Sequence, residues 1–165
     1  MNTLIGLVSD THEDVRMIIK AVKLFKERAP SLVIHCGDII SPPVLERFAG
    51  LPLKLVFGNN DGERLGLKKK CSELGFSEIE DTLIFEHAGK TFFVNHGTSA
   101  RVVDDAVASQ KYDYVMHGHT HIPRDEVVGC TKVINPGALF SADSYTIAFL
   151  EPETGRVEFV EIPES

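Results

Sequence analysis

The chain has no excess of basic residues. Its 17 Lys and Arg stand against 24 Asp and Glu, a formal charge of −7. This argues against wrapping DNA or RNA through a broad basic face, because such binders rely on many phosphate contacts from Lys and Arg. Cysteine is scarce as well. Cys36, Cys71 and Cys130 are odd in number and form no C-x-x-C pair, so neither a disulfide framework nor a thiolate zinc site is indicated, and a reducing, cytoplasmic setting is expected. No apolar run approaches the roughly 20 residues of a membrane span. The first apolar run has no basic region ahead of it and is ended early by Asp10, so it reads as a strand rather than a signal peptide. Internal repeats, linkers and low-complexity tracts are also lacking. What remains is 165 residues, 43% hydrophobic and 25% charged. That is an ordinary globular composition, long enough to bury about 70% of the unfolded surface. It is read as one domain over residues 1–165.

The first third of the chain alternates short apolar runs with helical periodicity. Leu4 to Val8, Leu32 to His35 and Leu53 to Phe57 read as buried strands. Between them, Val15, Ile18, Ile19, Val22 and Phe25 recur at helical spacing, with Thr11 or Glu13-Asp14 as the start, and Pro42-Pro43 suits the start of a short helix ending near Gly50. Strands joined in this way make parallel β-α-β units. Leu65 to Leu74 is read as a helix with Lys68, Lys69 and Lys70 on its exposed face. Beyond it, Thr82 to His87 and Thr91 to Asn95 read as a hairpin turned by Ala88-Gly89-Lys90, and Ser99 to Gln110 as a helix. Further strands are expected at Tyr112 to Met116, Glu126 to Val128, Lys132 to Ile134, Tyr145 to Leu150 and Val157 to Ile162. Neighbours this close in sequence pair antiparallel.

The polar residues that end these strands carry the chemistry. His117, His119 and His121 alternate within five residues, in a chain with only seven histidines. In extended backbone, residues two apart face one side, and neutral imidazole is the commonest metal-ligand side chain. Asp10, His12, Asp38 and Asn59 each fall just past a strand's carboxyl end, where ligands gather in parallel sheets; His96 follows another strand. Turn chemistry explains Asp and Asn there, but not four histidines. Asp10, His12, Asp38, Asn59, His96, His119 and His121 make seven oxygen and nitrogen ligands, more than one tetrahedral zinc needs. The set fits two divalent ions sharing a carboxylate, and nitrogen and oxygen donors without thiolate suit Mn, Fe, Ni, Co or Zn, of which Mn2+ or Ni2+ is the expected ion. Two such ions bring about +4, two aspartates subtract 2 and a bridging hydroxide subtracts 1, leaving roughly +1 to attract a small phosphorylated anion.

Asp10-Thr11-His12, Gly37-Asp38, Gly58-Asn59-Asn60-Asp61, His96-Gly97 and Gly118-His119-Thr120-His121 resemble the five ordered blocks of the calcineurin-like metallophosphoesterase superfamily. The short chain and its Gly-His-Thr-His form are similar to the small single-domain prokaryotic phosphodiesterases. The resemblance implies an α/β fold, a four-layer α/β/β/α sandwich with two mixed β-sheets. It implies that Asp10, His12 and His121 bind one metal, that Asn59, His96 and His119 bind the other, and that Asp38 bridges them. It implies a metal-dependent phosphodiesterase that hydrolyses small phosphodiesters by in-line attack of the bridging hydroxide. Many family members carry His after the metal-binding Asn, where it meets the scissile phosphate or the leaving group. Here that position is Asn60, which cannot act as a general acid, so activated aryl diesters are the expected substrates and Asn60 is left as a phosphate contact.

Other residues have plainer readings. His35 is expected to be a hydrogen-bonded core histidine, His117 to pack behind the ligands and His87 to be solvated. Asp61 and Glu63 are read as partners that orient a ligand, or as turn residues. Arg101 is a candidate phosphate contact, weighed against a solvated cation. Asn135-Pro136-Gly137 is a loop near the site without a ligand. Phe140 and Tyr145 either form an interface between copies, giving a homo-oligomer, or pack in the core. The competing functional readings are a non-catalytic protein-binding scaffold of the same fold and a phosphomonoesterase or nucleotide hydrolase; no membrane partner is expected.

Overall fold

The computed structural model describes residues 1–164. In chain order its elements are β1 (Ile5–Val8), α1 (Val15–Arg28), β2 (Leu32–His35), α2 (Pro42–Glu46), β3 (Leu53–Leu55), α3 (Arg64–Glu73), β4 (Thr82–His87), β5 (Lys90–Asn95), α4 (Ala100–Ser109), β6 (Tyr114–Met116), β7 (Arg124–Val128), β8 (Thr131–Asn135), β9 (Thr146–Glu151) and β10 (Arg156–Glu161). Among the described residues no helix is long and apolar enough to cross a membrane.

The strands form two five-stranded sheets, ordered β10-β9-β1-β2-β3 and β4-β5-β6-β8-β7. Period-2 alternation sorts their side chains into layers. Ile5 and Leu7 of β1, with Leu32 and Ile34 of β2, face Phe92 and Val94 of β5, Tyr114 and Met116 of β6 and Ile134 of β8 between the sheets. The alternate residues Val8 and Val33 turn outward onto Met17, Ile18, Ala21, Val22 and Phe25 of α1, in a cluster that also takes in α2 and α3. On the far side, Phe93, Val115 and Val133 pack against Val103, Ala106 and Val107 of α4. The layers are therefore helices, sheet, sheet, helix. Strands buried on both faces read as continuous apolar runs, which is why the sequence shows runs rather than alternation.

Local chemistry sets the element ends. Asp14 starts α1, its side chain accepting the Met17 N–H at 3.3 Å. Ala29 ends that helix in the left-handed region (φ 49°), and Pro30 follows. The hairpin turn is two residues, Ala88 (φ 53°) and Gly89 (φ 75°), because Lys90 already pairs with His87. Two positive φ values mark a type I′ turn, whose twist matches the strands.

The second half is less antiparallel than its close-spaced strands imply. The hairpins β4/β5, β7/β8 and β9/β10 are antiparallel, but β6 lies parallel to both β5 and β8. The α4 crossover joins β5 to β6 in a β-α-β unit, and the first sheet in turn carries β9 antiparallel to β1. This correction positions the site. Parallel β1, β2 and β3 in one sheet, and parallel β5, β6 and β8 in the other, send their carboxyl ends to one edge of the sandwich.

Candidate metal centre

The loops after β1, β2 and β3 are stitched by backbone bonds. The Asp10 N–H donates to the Gly37 carbonyl at 3.0 Å and the His12 N–H to the Asp38 carbonyl at 3.1 Å. Asp61 is a buried staple. Its Oδ2 accepts the N–H groups of Asp38 (2.9 Å) and Gly58 (2.7 Å), and its Oδ1 accepts that of Ile40 (2.6 Å). Burial pushes the Asp61 carboxyl above its ordinary value, while the three donors pull it back. Close approach leaves no room for side chains at two glycines. A Cβ at Gly58 would fall on Asp38 Oδ1, and one at Gly118 on the Ser9 hydroxyl.

The backbone is strained where the ligand-type residues sit. Asp10 (φ 50°), His12 (47°), Asp38 (65°), His119 (69°) and His121 (63°) all lie in the left-handed region. Asp and His are enriched there among non-glycine residues, but such strain persists only where surrounding contacts enforce it, and it clusters at functional sites.

Three imidazoles arrive from the second sheet. His96 Nδ1 lies 2.7 Å from the Cys36 carbonyl and His121 Nδ1 lies 3.0 Å from that of Ser141. A carbonyl accepts only a protonated nitrogen, so in both rings Nδ1 carries the hydrogen and Nε2 presents a lone pair. His121 Nε2 lies 3.2 Å from Asp10 Oδ1. His96 Nε2 lies 3.7 Å from Asp10 Oδ1 and 3.5 Å from Asp38 Oδ2, which is also 3.5 Å from His12 Nε2. His119 Nδ1 meets Asn59 Oδ1 at 3.2 Å, its ring 5.2 Å from that of His96. The structure thus brings Asp10, His12, Asp38, Asn59, His96, His119 and His121 to one cleft. Asp10, Asp38 and His96 form its buried floor, and Asn59 and His119 its exposed mouth.

The floor is electrostatically incomplete. Asp10 Oδ1, His12 Nε2 and His96 Nε2 are buried without a hydrogen-bond partner, although buried polar atoms are ordinarily paired. Two groups hold ligand atoms within 4.8 Å of one another: Asp10, His12 and His121, and Asp10, Asp38 and His96. Burial alone would raise Asp38, but its contacts with His12, His96 and the Asn60 N–H hold its carboxyl well below the usual carboxylate range. Burial would lower His96, yet Asp38 and Asp10 hold it above its ordinary value. Negative charge at the floor thus seeks positive partners. Converging unpaired oxygen and nitrogen lone pairs fit divalent cations. Cys36 supplies its carbonyl only, since burial and the Asp10 charge push its thiol up.

The remaining candidates fall elsewhere. Asn60 donates its backbone N–H to Asp38 Oδ1 and its side-chain amide to Asp38 Oδ2, both at 2.9 Å. The amide expected to face phosphate thus holds a carboxylate. Arg101 is 88% exposed and pairs along its helix with Asp105 at 3.8 Å, away from the floor. His35 is a core histidine, its Nδ1 accepting the Gly37 N–H at 3.1 Å while Nε2 bonds Thr11 Oγ1 at 3.0 Å. His117 is buried behind the ligands, between the Gly118 carbonyl and Arg124. His87 is not solvated as expected: it is half-buried, with Nε2 2.9 Å from the Ser31 hydroxyl, which supplies the polar partner that solvent would otherwise give. Asn135 ties the end of β8 to the histidine loop through the Gly118 carbonyl and the Thr120 hydroxyl.

Sequence reasoning missed two neighbours of the cleft residues. The Ser9 hydroxyl donates to Asp10 Oδ2 at 2.5 Å; nothing distinguishes a serine at a strand's end from a turn residue. Phe140 stacks on His12, ring centres 4.1 Å apart, neither in the core nor in a demonstrated interface. Its position 128 residues from His12 left no sequence signal. Two grooves open beside the cleft. One, about 590 Å³, is bordered by His12, Glu13, Asp14, Ile40, Asn60 and Phe140. The other, about 490 Å³, runs from Thr120 and His121 along Ile122 and Pro123 to Ser141–Ser144.

Residues 3–155 match the model of the calcineurin-like phosphoesterase superfamily domain. A phosphodiesterase of Methanocaldococcus jannaschii is 40% identical over 81% of this chain and 82% of its own length. A probable metallophosphoesterase of Bacillus subtilis is 28% identical over 96% of this chain and 90% of its own. Among solved structures, that of an archaeal phosphodiesterase superposes with a TM-score of 0.92 at 34% identity, covering 97% of this chain and 100% of that one.

Proposed function

The chain belongs to the calcineurin-like phosphoesterase superfamily, and from that premise we propose that it is a metal-dependent phosphodiesterase acting on small phosphodiesters. The observation that carries this is the unpaired set at the floor: Asp10 Oδ1, His12 Nε2 and His96 Nε2, buried and convergent. In this reading Asp10, His12 and His121 hold one divalent ion, and Asn59, His96 and His119 hold a second. Asp38 lies between, since its Oδ2 is equidistant from His12 and His96. Asp10 Oδ1 also faces both His121 and His96 and is unpaired, so the choice of Asp38 as the shared carboxylate rests on the resemblance to the family and on the position of its Oδ2 between His12 and His96. The oxygen and nitrogen donor set suits Mn2+ or Ni2+. Such ions supply Lewis acidity toward phosphoryl oxygens and lower the pKa of bound water to about 7.

The chain's own residues do the positioning. The Cys36 and Ser141 carbonyls fix the tautomers of His96 and His121. Asn60 grips both oxygens of Asp38, fixing the orientation of that carboxylate. A side-chain amide is far too weak an acid to protonate a departing alkoxide, and general acid assistance is typically worth about 10²–10⁴-fold. Diesters with good leaving groups are therefore the preferred substrates. The three free thiols and the acidic charge suit a reducing cytoplasmic setting without nucleic-acid wrapping.

The test is hydrolysis of bis(4-nitrophenyl) phosphate after chelation and after reloading with Mn2+ or Ni2+, with metal content measured in parallel. Activity should vanish on chelation, return on reloading and exceed that on alkyl phosphomonoesters. A loaded protein that cleaves no phosphate ester would favour a scaffold. Equal turnover of alkyl monoesters would overturn the role given to Asn60.

A further inference from the structure

The 590 Å³ groove beside His12 is asymmetric in its chemistry. Part of its lining is apolar: Phe140 covers one side of the His12 ring and is itself 42% exposed, and Ile40, half-buried, also borders the groove. Ile40 is held at φ 78°, an outlier for a β-branched residue. Its N–H is pinned by Asp61 at 2.6 Å, the staple that also holds the Asp38 N–H. The apolar part is thus fixed to the metal-binding loop. Another part is acidic. Glu13 and Asp14 are held in place, Glu13 by the Ser41 hydroxyl at 3.1 Å and Asp14 as the cap of α1. No Lys or Arg borders the groove.

We propose that this groove seats an aromatic ester substituent of the substrate, an aryl ring or a nucleobase, stacked on Phe140 and backed by Ile40, while Glu13 and Asp14 exclude a second phosphate. The inference rests on the phosphodiesterase reading and adds the substrate class: a diester with one flat, uncharged arm. An exposed phenyl ring beside a site that bound metal ions would make cationic gains from covering by a second aromatic face. Charge decides the rest. The floor attracts one phosphate, and two carboxylates at the groove repel any other. Nucleoside diphosphates and oligonucleotides are therefore poor ligands, and monoanionic diesters with one aromatic arm are good ones.

The experiment is calorimetric titration of the metal-loaded protein with methylphosphonate, phenylphosphonate, thymidine 5′-monophosphate and thymidine 5′-diphosphate. Phenylphosphonate should bind roughly 3- to 10-fold tighter than methylphosphonate. Thymidine 5′-monophosphate matching or exceeding phenylphosphonate would identify a nucleobase as the occupant, and a weaker fit would identify a plain aryl group. The diphosphate should bind more weakly than the monophosphate, and Glu13→Gln should narrow that gap by roughly 2- to 5-fold. Phe140→Leu, which keeps an apolar cover on His12, should abolish the phenyl preference, and Phe140→Tyr should retain it, metal content being unchanged in both. Equal affinity for methyl and phenyl ligands, or a preference surviving Phe140→Leu, would overturn the assignment. If no phosphonate binds and no diester is cleaved, it is the phosphodiesterase reading itself that fails.

Discussion

After β1, β2 and β3 the chain delivers mostly oxygen to the cleft: Asp10, Asp38 and the Asn59 amide, with His12 the one imidazole. After β5 and β6 it delivers nitrogen alone: His96, His119 and His121. The two sides are also held differently. Carboxylates on the first side are gripped by N–H donors, from Asn60 and His119 directly and through the Asp61 staple beneath. Imidazoles on the second side are gripped by carbonyl acceptors, at Cys36 and Ser141. An anion needs donors and a neutral ring needs an acceptor to settle its tautomer, so each side uses the backbone group that its ligand type demands. Bonds to a carboxylate are roughly twice as strong as neutral ones. The first side should therefore be the more rigid and the more costly to disturb.

The largest expected effect is at the carboxylate that joins the sides. Asp38→Ala should release both ions together and lower diester hydrolysis by roughly 10³-fold or more, read by metal analysis and steady-state rates. A variant that still holds two ions would move the bridge to Asp10. Next is the staple of the first side. Asp61→Ala strands three backbone N–H groups and should cost about 3 kcal/mol or more in urea unfolding, with metal affinity falling roughly 10- to 100-fold. Its counterpart on the second side is Asn135, which makes neutral bonds to the histidine loop. Asn135→Ala should cost only about 1–2 kcal/mol. Equal losses at Asp61 and Asn135 would erase the contrast between the sides.

The smallest effect compares two buried histidines. Burial, helped by the nearby His96, lowers His35 from the ordinary 6.5 to about 3. As pH falls, the unfolded chain takes up the proton first. The stability that His35 contributes is thus complete above pH 6.5 and is lost as pH drops from 6.5 toward 3. By pH 5.5 that loss is about 1–2 kcal/mol. Denaturant midpoints across pH 5–7.5 should show this slope, and His35→Gln should flatten it. Burial also lowers His117 on the second side, so His117→Gln should act in the same direction with a smaller change in slope.

Much of this was legible from residue order. The buried strands, both long amphipathic helices and all seven polar residues now gathered in the cleft stood out, because apolar runs and punctuating Asp, Asn and His are local signals. The parallel core of the second sheet was not legible: strand spacing betrays hairpins, but not that β6 inserts between β5 and β8. The Phe140–His12 stack, the Ser9 bond to Asp10 and the turning of Asn60 onto Asp38 were also hidden. Each depends on where a side chain is aimed across a long sequence separation, which composition and periodicity do not encode. Asp61 was visible only as one of two alternatives, since an aspartate in a turn has the same sequence whether it caps itself or staples two loops.

The left-handed backbone at Asp10, His12, Asp38, His119 and His121 bears on how such a protein can drift. Each of these positions stores about 1–3 kcal/mol of conformational energy that glycine would not. Replacing one of these residues with glycine therefore relieves strain while removing an oxygen or nitrogen atom from the cleft. At His12, His119 and His121, where no carboxylate acceptor is lost, glycine would therefore stabilise the fold while emptying the cleft of a donor, so stability and the proposed chemistry pull in opposite directions there.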